Sequence, residues 1–125
     1  LVYRAVFNLT ENAIRYSRPD AVVCLSATEE GDRICLRVKD AGPGIPEQYR
    51  QSIFQPFFRV DKSRSREHGG VGLGLALVWE IAALHGGTAQ VEESSEEGTT
   101  MLITLPKRGI NSGDGVARPA TDKNP

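Results

Sequence analysis

The sequence predicts an α+β fold: a mixed, mostly antiparallel sheet with helices on one face. Three observations lead there. Residues 1–17 carry apolar side chains at helical spacing. Two strand-like pairs follow at a distance from each other, each pair joined by a short turn, which favours antiparallel pairing. A second apolar segment, Leu75 to His85, separates the pairs and reads as a helix. The order is therefore α, β, β, loop, α, β, β.

In the first helix, Val2, Ala5, Val6, Leu9, Ala13 and Tyr16 form one apolar stripe. Asn8, Glu11, Asn12 and Arg15 share a second face, about 120° round at roughly 100° per residue. Pro19-Asp20 ends the helix region. In the first strand pair, Ile34, Leu36 and Val38 alternate with Arg33, Arg37 and Lys39, as a strand with one buried face does. A turn at Glu30-Gly31 sets Leu25 opposite Leu36 and Val23 opposite Val38, and puts both cysteines on the other face. Asp40 to Pro46 reads as a loop, residues 47–54 as a short helix, and residues 55–71 as a long surface loop. The Leu75–His85 helix is apolar nearly all round and so predicted buried, with Gly86-Gly87 as its stop. Thr88–Val91 and Thr99–Leu105 are the last strands, joined by an acidic turn from Glu92 to Gly98.

The chain has 125 residues, 39% hydrophobic and 25% charged, which suits one globular domain. The folded domain is predicted over 1–106, with 107–125 as a disordered tail rich in Gly, Pro, Asn and Asp. The opening residues are already amphipathic with no cap before them, which reads as a start inside a helix. A net charge of −1 argues against a bulk electrostatic role on nucleic acid or anionic membrane. No apolar run reaches the roughly 20 residues of a membrane span. Cys24 and Cys35 read as half-buried strand residues, not as a bridge.

Four stretches carry candidate chemistry. Gly69-Gly70-Val71-Gly72-Leu73-Gly74-Leu75 places four glycines in six residues directly before a helix, an arrangement that suits phosphate. It lacks the preceding strand of the dinucleotide fingerprint and the Gly-Lys-Ser/Thr ending of the P-loop. A hinge with no ligand is the plain alternative. Asp40-Ala41-Gly42-Pro43-Gly44 is either a turn after a strand or an acceptor for an amino group, with glycines that let a flat ring approach. Asn8 and Asn12, one helical turn apart, are either a solvated face or hard amide ligands for Mg²⁺, with Arg15 able to meet phosphate. Phe54 to Arg59 places aromatics before a basic loop holding Lys62, Arg64 and Arg66. That stretch is either a satellite core or a cationic flap over a polyphosphate.

In their joint order and spacing these stretches resemble the catalytic ATP-binding domain of sensor histidine kinases, within the superfamily that includes gyrase and Hsp90. The resemblance covers residues 1 to 106. Asn8 to Tyr16 is similar to the family's asparagine box. Asp40 to Gly44 is similar to the first glycine box, Phe54 to Arg59 to the phenylalanine box, and Gly70 to Gly74 to the second glycine box. Gly98-Thr99-Thr100 with Leu105-Pro106 is similar to the closing segment. The implied fold is a two-layer α/β sandwich of the Bergerat type.

The resemblance implies roles residue by residue. Asn12 coordinates Mg²⁺ with Asn8 on the same face; Arg15 reaches phosphate and Tyr16 lines the nucleotide. Asp40 accepts from the adenine amine, with Gly42, Gly44 and Ile45 beside it and Thr99 at the same site. Phe57, Arg59 and Lys62 belong to the ATP side of the aromatic box and lid, residues 59–69 being the lid. Gly70, Val71, Gly72, Leu73, Gly74 and Leu75 form its hinge and phosphate-facing backbone; Val71 stands where a small hydroxyl residue or alanine is frequent. Asn8, Glu11 and Arg15 are the implied catalytic set. Asn8 occupies the position at which hydrolysing branches place a glutamate, and it cannot act as a general base. Asp40→Ala is expected to abolish adenine binding and leave the fold intact.

The implied function is binding of ATP and Mg²⁺ for autophosphorylation of a histidine on a separate dimerisation domain of the same parent protein, with a response regulator downstream. Neither His68 nor His85 suits the acceptor role. The strands that precede the first helix in the family, and the histidine domain, are expected outside this chain. The piece is expected to be a monomer from a homodimeric parent, cytoplasmic, with membrane attachment of the parent possible by analogy and no nucleic-acid partner. An anti-sigma-factor-type serine kinase of the same fold and a non-catalytic nucleotide-sensing module are the alternatives.

Overall fold

Helix α1 spans Val2–Tyr16 and packs one face inward, burying Ala5, Leu9 and Ala13. A computed structural model describes residues 1–58 and 73–107 of the chain. Asn8 and Asn12 are half-buried beside that face, and Glu11 and Arg15 are exposed. Tyr16 departs from the predicted stripe and is 41% exposed. The helix ends there, and the backbone carbonyl of Tyr16 meets the following loop at Gly42.

Strands β1 (Cys24–Glu30) and β2 (Arg33–Lys39) form an antiparallel hairpin. Its turn is Gly31-Asp32, not Glu30-Gly31. Glu30 pairs with Arg33, Leu25 with Val38 and Ala27 with Leu36. The predicted register is thus off by two residues, which keeps every side chain on its predicted face. The physical reason is Gly31, whose φ of 67° suits the first central position of a tight hairpin turn. Both cysteines are free. They share the outer face as expected, but Cys35 is fully buried, not half-buried, while Cys24 is exposed.

Two 3-10 turns, Glu47–Tyr49 and Ser52–Phe54, replace the single short helix predicted for 47–54. Helix α2 spans Gly74–Leu84. It is not buried all round: Val78, Ile81 and Ala82 are inside, whereas Leu77, Trp79 and Leu84 are exposed. Among the described residues its partners are α1, the sheet and the second 3-10 turn, and an apolar sequence cannot create partners for its other faces. The helix ends as predicted. Gly86 is left-handed, its N–H donates to the Ala83 carbonyl, and the Gly87 N–H donates to Ala82.

Strands β3 (Thr88–Ser95) and β4 (Gly98–Pro106) are longer than predicted. Ser95 pairs with Gly98, so the acidic turn contracts to Glu96-Glu97. The sheet order is β1-β2-β4-β3, and every neighbouring pair among the described strands is antiparallel, with none of the parallel pairing that a mixed sheet would contain. Val38, Ala89, Met101, Ile103 and Leu105 of the sheet join Leu9, Val78, Ile81 and Ala82 in one core. Phe54 closes its edge against Trp79 at a ring separation of 5.4 Å. The predicted lid and residues 108–125 of the predicted 107–125 tail lie outside the described residues, whereas Lys107 is held by its N–H to the Asp32 carbonyl and by an ion pair with Glu29.

Among the described residues the outer face has an ionic cover and no helix. Arg37 on β2 bonds Glu30 on β1 at 3.0 Å and reaches across β4 to Glu92 on β3 at 2.7 Å. Leu102, its ladder partner on β4, is buried beneath this span. Hydrogen bonds from Thr28 and Arg37 lower the Glu30 pKa, and those from Arg37 lower that of Glu92. A lowered carboxylate pKa stabilises the fold above the ordinary carboxylate range. That contribution is lost as pH falls through the lowered value. Glu92→Gln is therefore expected to lower the thermal midpoint by roughly 1–4 °C at neutral pH. The gap should close in acid; melting curves from pH 7 downward that keep it constant would contradict the assignment.

Candidate functional site

The site grows from one aspartate at the end of a strand. Val38 points into the core and Lys39 outward, so alternation turns Asp40 back to the helix side, where it is 9% exposed. Its N–H donates to the Thr99 carbonyl at 2.9 Å, which extends the β2–β4 ladder by one step. Its Oδ1 accepts from the Gly42 N–H at 2.9 Å and the Thr99 N–H at 3.1 Å. Both bonds fall on one oxygen, so Oδ2 takes no part in holding the loop.

Three side chains fix the loop that follows. The Ala41 N–H donates to Ser17 Oγ at 3.0 Å, tying the loop to the end of α1. The Ile45 N–H donates to Ser94 Oγ at 2.8 Å, and Ser94 Oγ lies 2.7 Å from Thr99 Oγ1. The Arg50 Nε donates to the Ile45 carbonyl and an Nη donates to the Ser94 carbonyl, both at 3.2 Å. Two glycines make these approaches possible. A Cβ at Gly44, whose φ is 90°, would sit 2.3 Å from the Ser95 carbonyl oxygen; one at Gly98 would sit 2.0 Å from that of Asp40. No side chain fits at either point.

The fold thus gathers Tyr16, Asp40, Gly42, Gly44, Ile45 and Thr99 at one end of the sheet, where α1 also ends. Arg15 immediately precedes Tyr16, and Asn12 and Asn8 lie one and two turns back along that helix. Leu73 precedes α2, Gly74 opens it, and Leu75 packs against the core. A Cβ at Gly74 would meet nothing within 4 Å, so packing does not demand glycine there. Phe57 is 63% exposed with a φ of 64°, an uncommon state for an aromatic residue, and Phe58 packs on Tyr49. Arg59, Lys62, His68, Gly70, Val71 and Gly72 lie outside the described residues. His85 is engaged at the end of α2, where its Nδ1 lies 2.9 Å from the Ile81 carbonyl oxygen.

One expectation needs correction. Asp40 is not a loop residue with little structural weight, because it holds two buried N–H groups. Asp40→Ala would strand both, at about 1–3 kcal/mol each. Ser17, Arg50 and Ser94 were not singled out in the sequence. A serine one residue past a helix was the one available signal, for Ser17. Ser94 reads as part of an acidic turn, and Arg50 as an ordinary surface cation.

Comparison with known proteins fits this geometry. A family model described as histidine kinase-, DNA gyrase B-, and HSP90-like ATPase matches residues 1–109. The chain belongs to this ATPase family. It is 42% identical over 106 residues to the sensor-like histidine kinase SenX3 of Mycobacterium tuberculosis, covering 85% of this chain and 26% of that protein. It is 40% identical over 105 residues to the circadian input-output histidine kinase CikA of Synechococcus elongatus, covering 84% of this chain and 14% of that protein. The chain thus spans about a quarter or less of the length of these relatives. Among solved structures, the mycobacterial sensor histidine kinase MprB matches with a TM-score of 0.71 and 35% identity, over 82% of this chain and 68% of that one. The chain is a histidine-kinase-type ATP-binding catalytic domain, with the α+β fold of that group. No described helix is long and apolar enough to cross a membrane.

Gly44→Ala is expected to detach the Ile45 loop from β3. Amide exchange at Ile45 should become at least about tenfold faster, while the β1–β2 amides keep their protection. Unchanged exchange at Ile45 would show that the close approach to Ser95 carries no strain.

Proposed function

We propose that this domain binds ATP with Mg²⁺ and presents the γ-phosphate to a histidine on a separate dimerisation domain of its parent protein, as part of two-component signalling. The observation that carries the reading is Asp40: a nearly buried carboxylate with one oxygen committed to the backbone and the other left for a ligand donor. An adenine amine is a donor of the right kind. Family membership supports ATP as the nucleotide, and a related structure, full-length ShkA, was solved in complex with AMPPNP.

The residues suit Mg²⁺ as well. No cluster of three acidic, His or Cys side chains occurs among the described residues. Mg²⁺ needs few protein ligands when phosphates and water complete its shell, and the Asn12 amide oxygen is a hard donor. Bound there, Mg²⁺ would neutralise charge on the phosphates. Asn8 supports the same face and Arg15 offers a cation one turn on. Glu11 completes the proposed catalytic set on this helix, and Tyr16 lines the base. Phe57 is assigned to the nucleotide side of the aromatic stretch, the cations Arg59 and Lys62 to the lid, and Gly70, Val71, Gly72, Leu73, Gly74 and Leu75 to its hinge.

In the transfer, the bond from the γ-phosphorus to the bridging oxygen breaks and a phosphorus–nitrogen bond forms. ADP leaves, and the acceptor imidazole gives up a proton. The domain contributes position and charge, with no base for water attack, since Asn8 is an amide. His85 is held at the end of α2, which fits an acceptor on another domain. A response regulator would then receive the phosphoryl group.

Asp40→Asn keeps an oxygen for the two N–H groups and turns the other position into a donor. It should bind ATP about 100-fold more weakly and melt near the parent. Asn12→Ala should remove most of the gain in ATP affinity that Mg²⁺ gives. Calorimetric titrations with and without Mg²⁺ test both; parent-like ATP binding by Asp40→Asn would end the adenine assignment. Mixing the domain with a histidine-bearing dimerisation domain and labelled ATP should yield acid-labile phosphohistidine.

A further inference from the structure

We infer that Ser94 and Arg50 are positioning residues for the nucleotide base, acting through Ile45 and Thr99 as a clamp between the Asp40 loop and the β3–β4 hairpin. The inference rests on the ATP-binding reading above and adds to it a device outside the Asp40 loop.

A change of register in β3 creates the clamp. Val91 pairs with Met101, but the next pair is Glu93 with Thr100, so one extra residue is inserted. Glu92 and Glu93 then follow each other on the outer side, where Glu92 meets Arg37. Regular alternation would have sent Ser94 to that outer side as well. The bulge turns it inward, opposite Thr99, which is 4% exposed. Bulges next to functional sites commonly re-aim one side chain in this way.

Once inward, Ser94 joins two parts of the site. Its Oγ accepts from the Ile45 N–H and shares a hydrogen bond with the Thr99 hydroxyl. Thr99 in turn donates its N–H to Asp40. Arg50 completes the pin by bonding two carbonyls, one on Ile45 and one on Ser94 itself. Both polar backbone groups of Ile45 are therefore held by side chains, with no ladder bond to replace them. With its oxygen accepting from Ile45, the serine still has a proton and a second lone pair, so its hydrogen bond with the Thr99 hydroxyl can run in either direction. A lysine cannot span both carbonyls with the planar fork of arginine.

The full chain is titrated calorimetrically with ATP and with ADP, for the parent, Ser94→Ala, Ser94→Thr, Arg50→Ala and Arg50→Lys. Each titration is run well below the variant's own melting midpoint. Ser94→Ala and Arg50→Ala should each weaken ATP and ADP by the same factor, about tenfold, with stoichiometry near one and the Mg²⁺ effect on ATP unchanged. Ser94→Thr should restore parent affinity, and Arg50→Lys should fall between. The double alanine variant should lose less than the product of the two single losses, since both residues hold one loop. Parent-like affinity in both alanine variants overturns the clamp. So does a fall in stoichiometry with unchanged affinity, which is the mark of a purely structural role. A loss confined to ATP would place the effect at the phosphates and overturn it too. If the parent binds neither nucleotide, the ATP-binding reading fails and the clamp with it; if the parent binds and both alanine variants bind like it, the clamp alone fails.

Discussion

One carboxylate oxygen holds the functional end of this molecule together. Asp40 Oδ1 receives the N–H of Gly42 from its own loop and that of Thr99 from β4. The first bond folds the loop back; the second locks it to the sheet. A nearly buried carboxylate shared between two backbone donors is strongly directional, because each bond is charge-assisted and water is largely excluded. The approach of Gly98 to the Asp40 carbonyl and of Gly44 to the Ser95 carbonyl follows from that lock. So does the position of Ile45 between Ser94 and Arg50.

The sheet supplies the rigid base for this arrangement. Its inner face is an ordinary apolar core shared with α1 and α2. Its outer face is held by ions: Arg37 spans from β1 to β3, and Leu102 is buried with no described helix over it. The bulge that frees Ser94 for the site is also what leaves Glu92 and Glu93 together on the ionic face. A single inserted residue in β3 therefore serves both faces, which couples the stability of the sheet to the geometry of the loop.

Much of the fold was legible in local pattern. The stripe of α1, the alternation of Ile34, Leu36 and Val38, and the Gly86-Gly87 stop each depend on neighbours within one or two turns of chain. The hairpin register was missed by two residues because both registers bury the same face, and only the preference of Gly31 for positive φ separates them. The extent of burial around α2 was misjudged because composition records hydrophobicity, not the presence of a partner. Trp79 is apolar and yet 46% exposed. At the site, Asp40 and its glycines stood out, whereas Arg50 and Ser94 did not. Arg50 bonds carbonyls 5 and 44 residues away and Ser94 an N–H 49 residues away, and backbone groups leave no mark in residue type.

The sequence by itself determined the element order, the faces of the helices and strands, and the family to which the chain belongs. These follow from short-range periodicity and from the order of a few chemically distinctive stretches. Tertiary structure alone decided that Asp40 is a structural anchor as well as a candidate ligand contact. It also decided that a bulge turns Ser94 inward, and that Ile45 is pinned by side chains from two separate elements. Those outcomes depend on which backbone groups meet across the sheet, and that is set by strand register and close packing, not by any run of neighbouring residues.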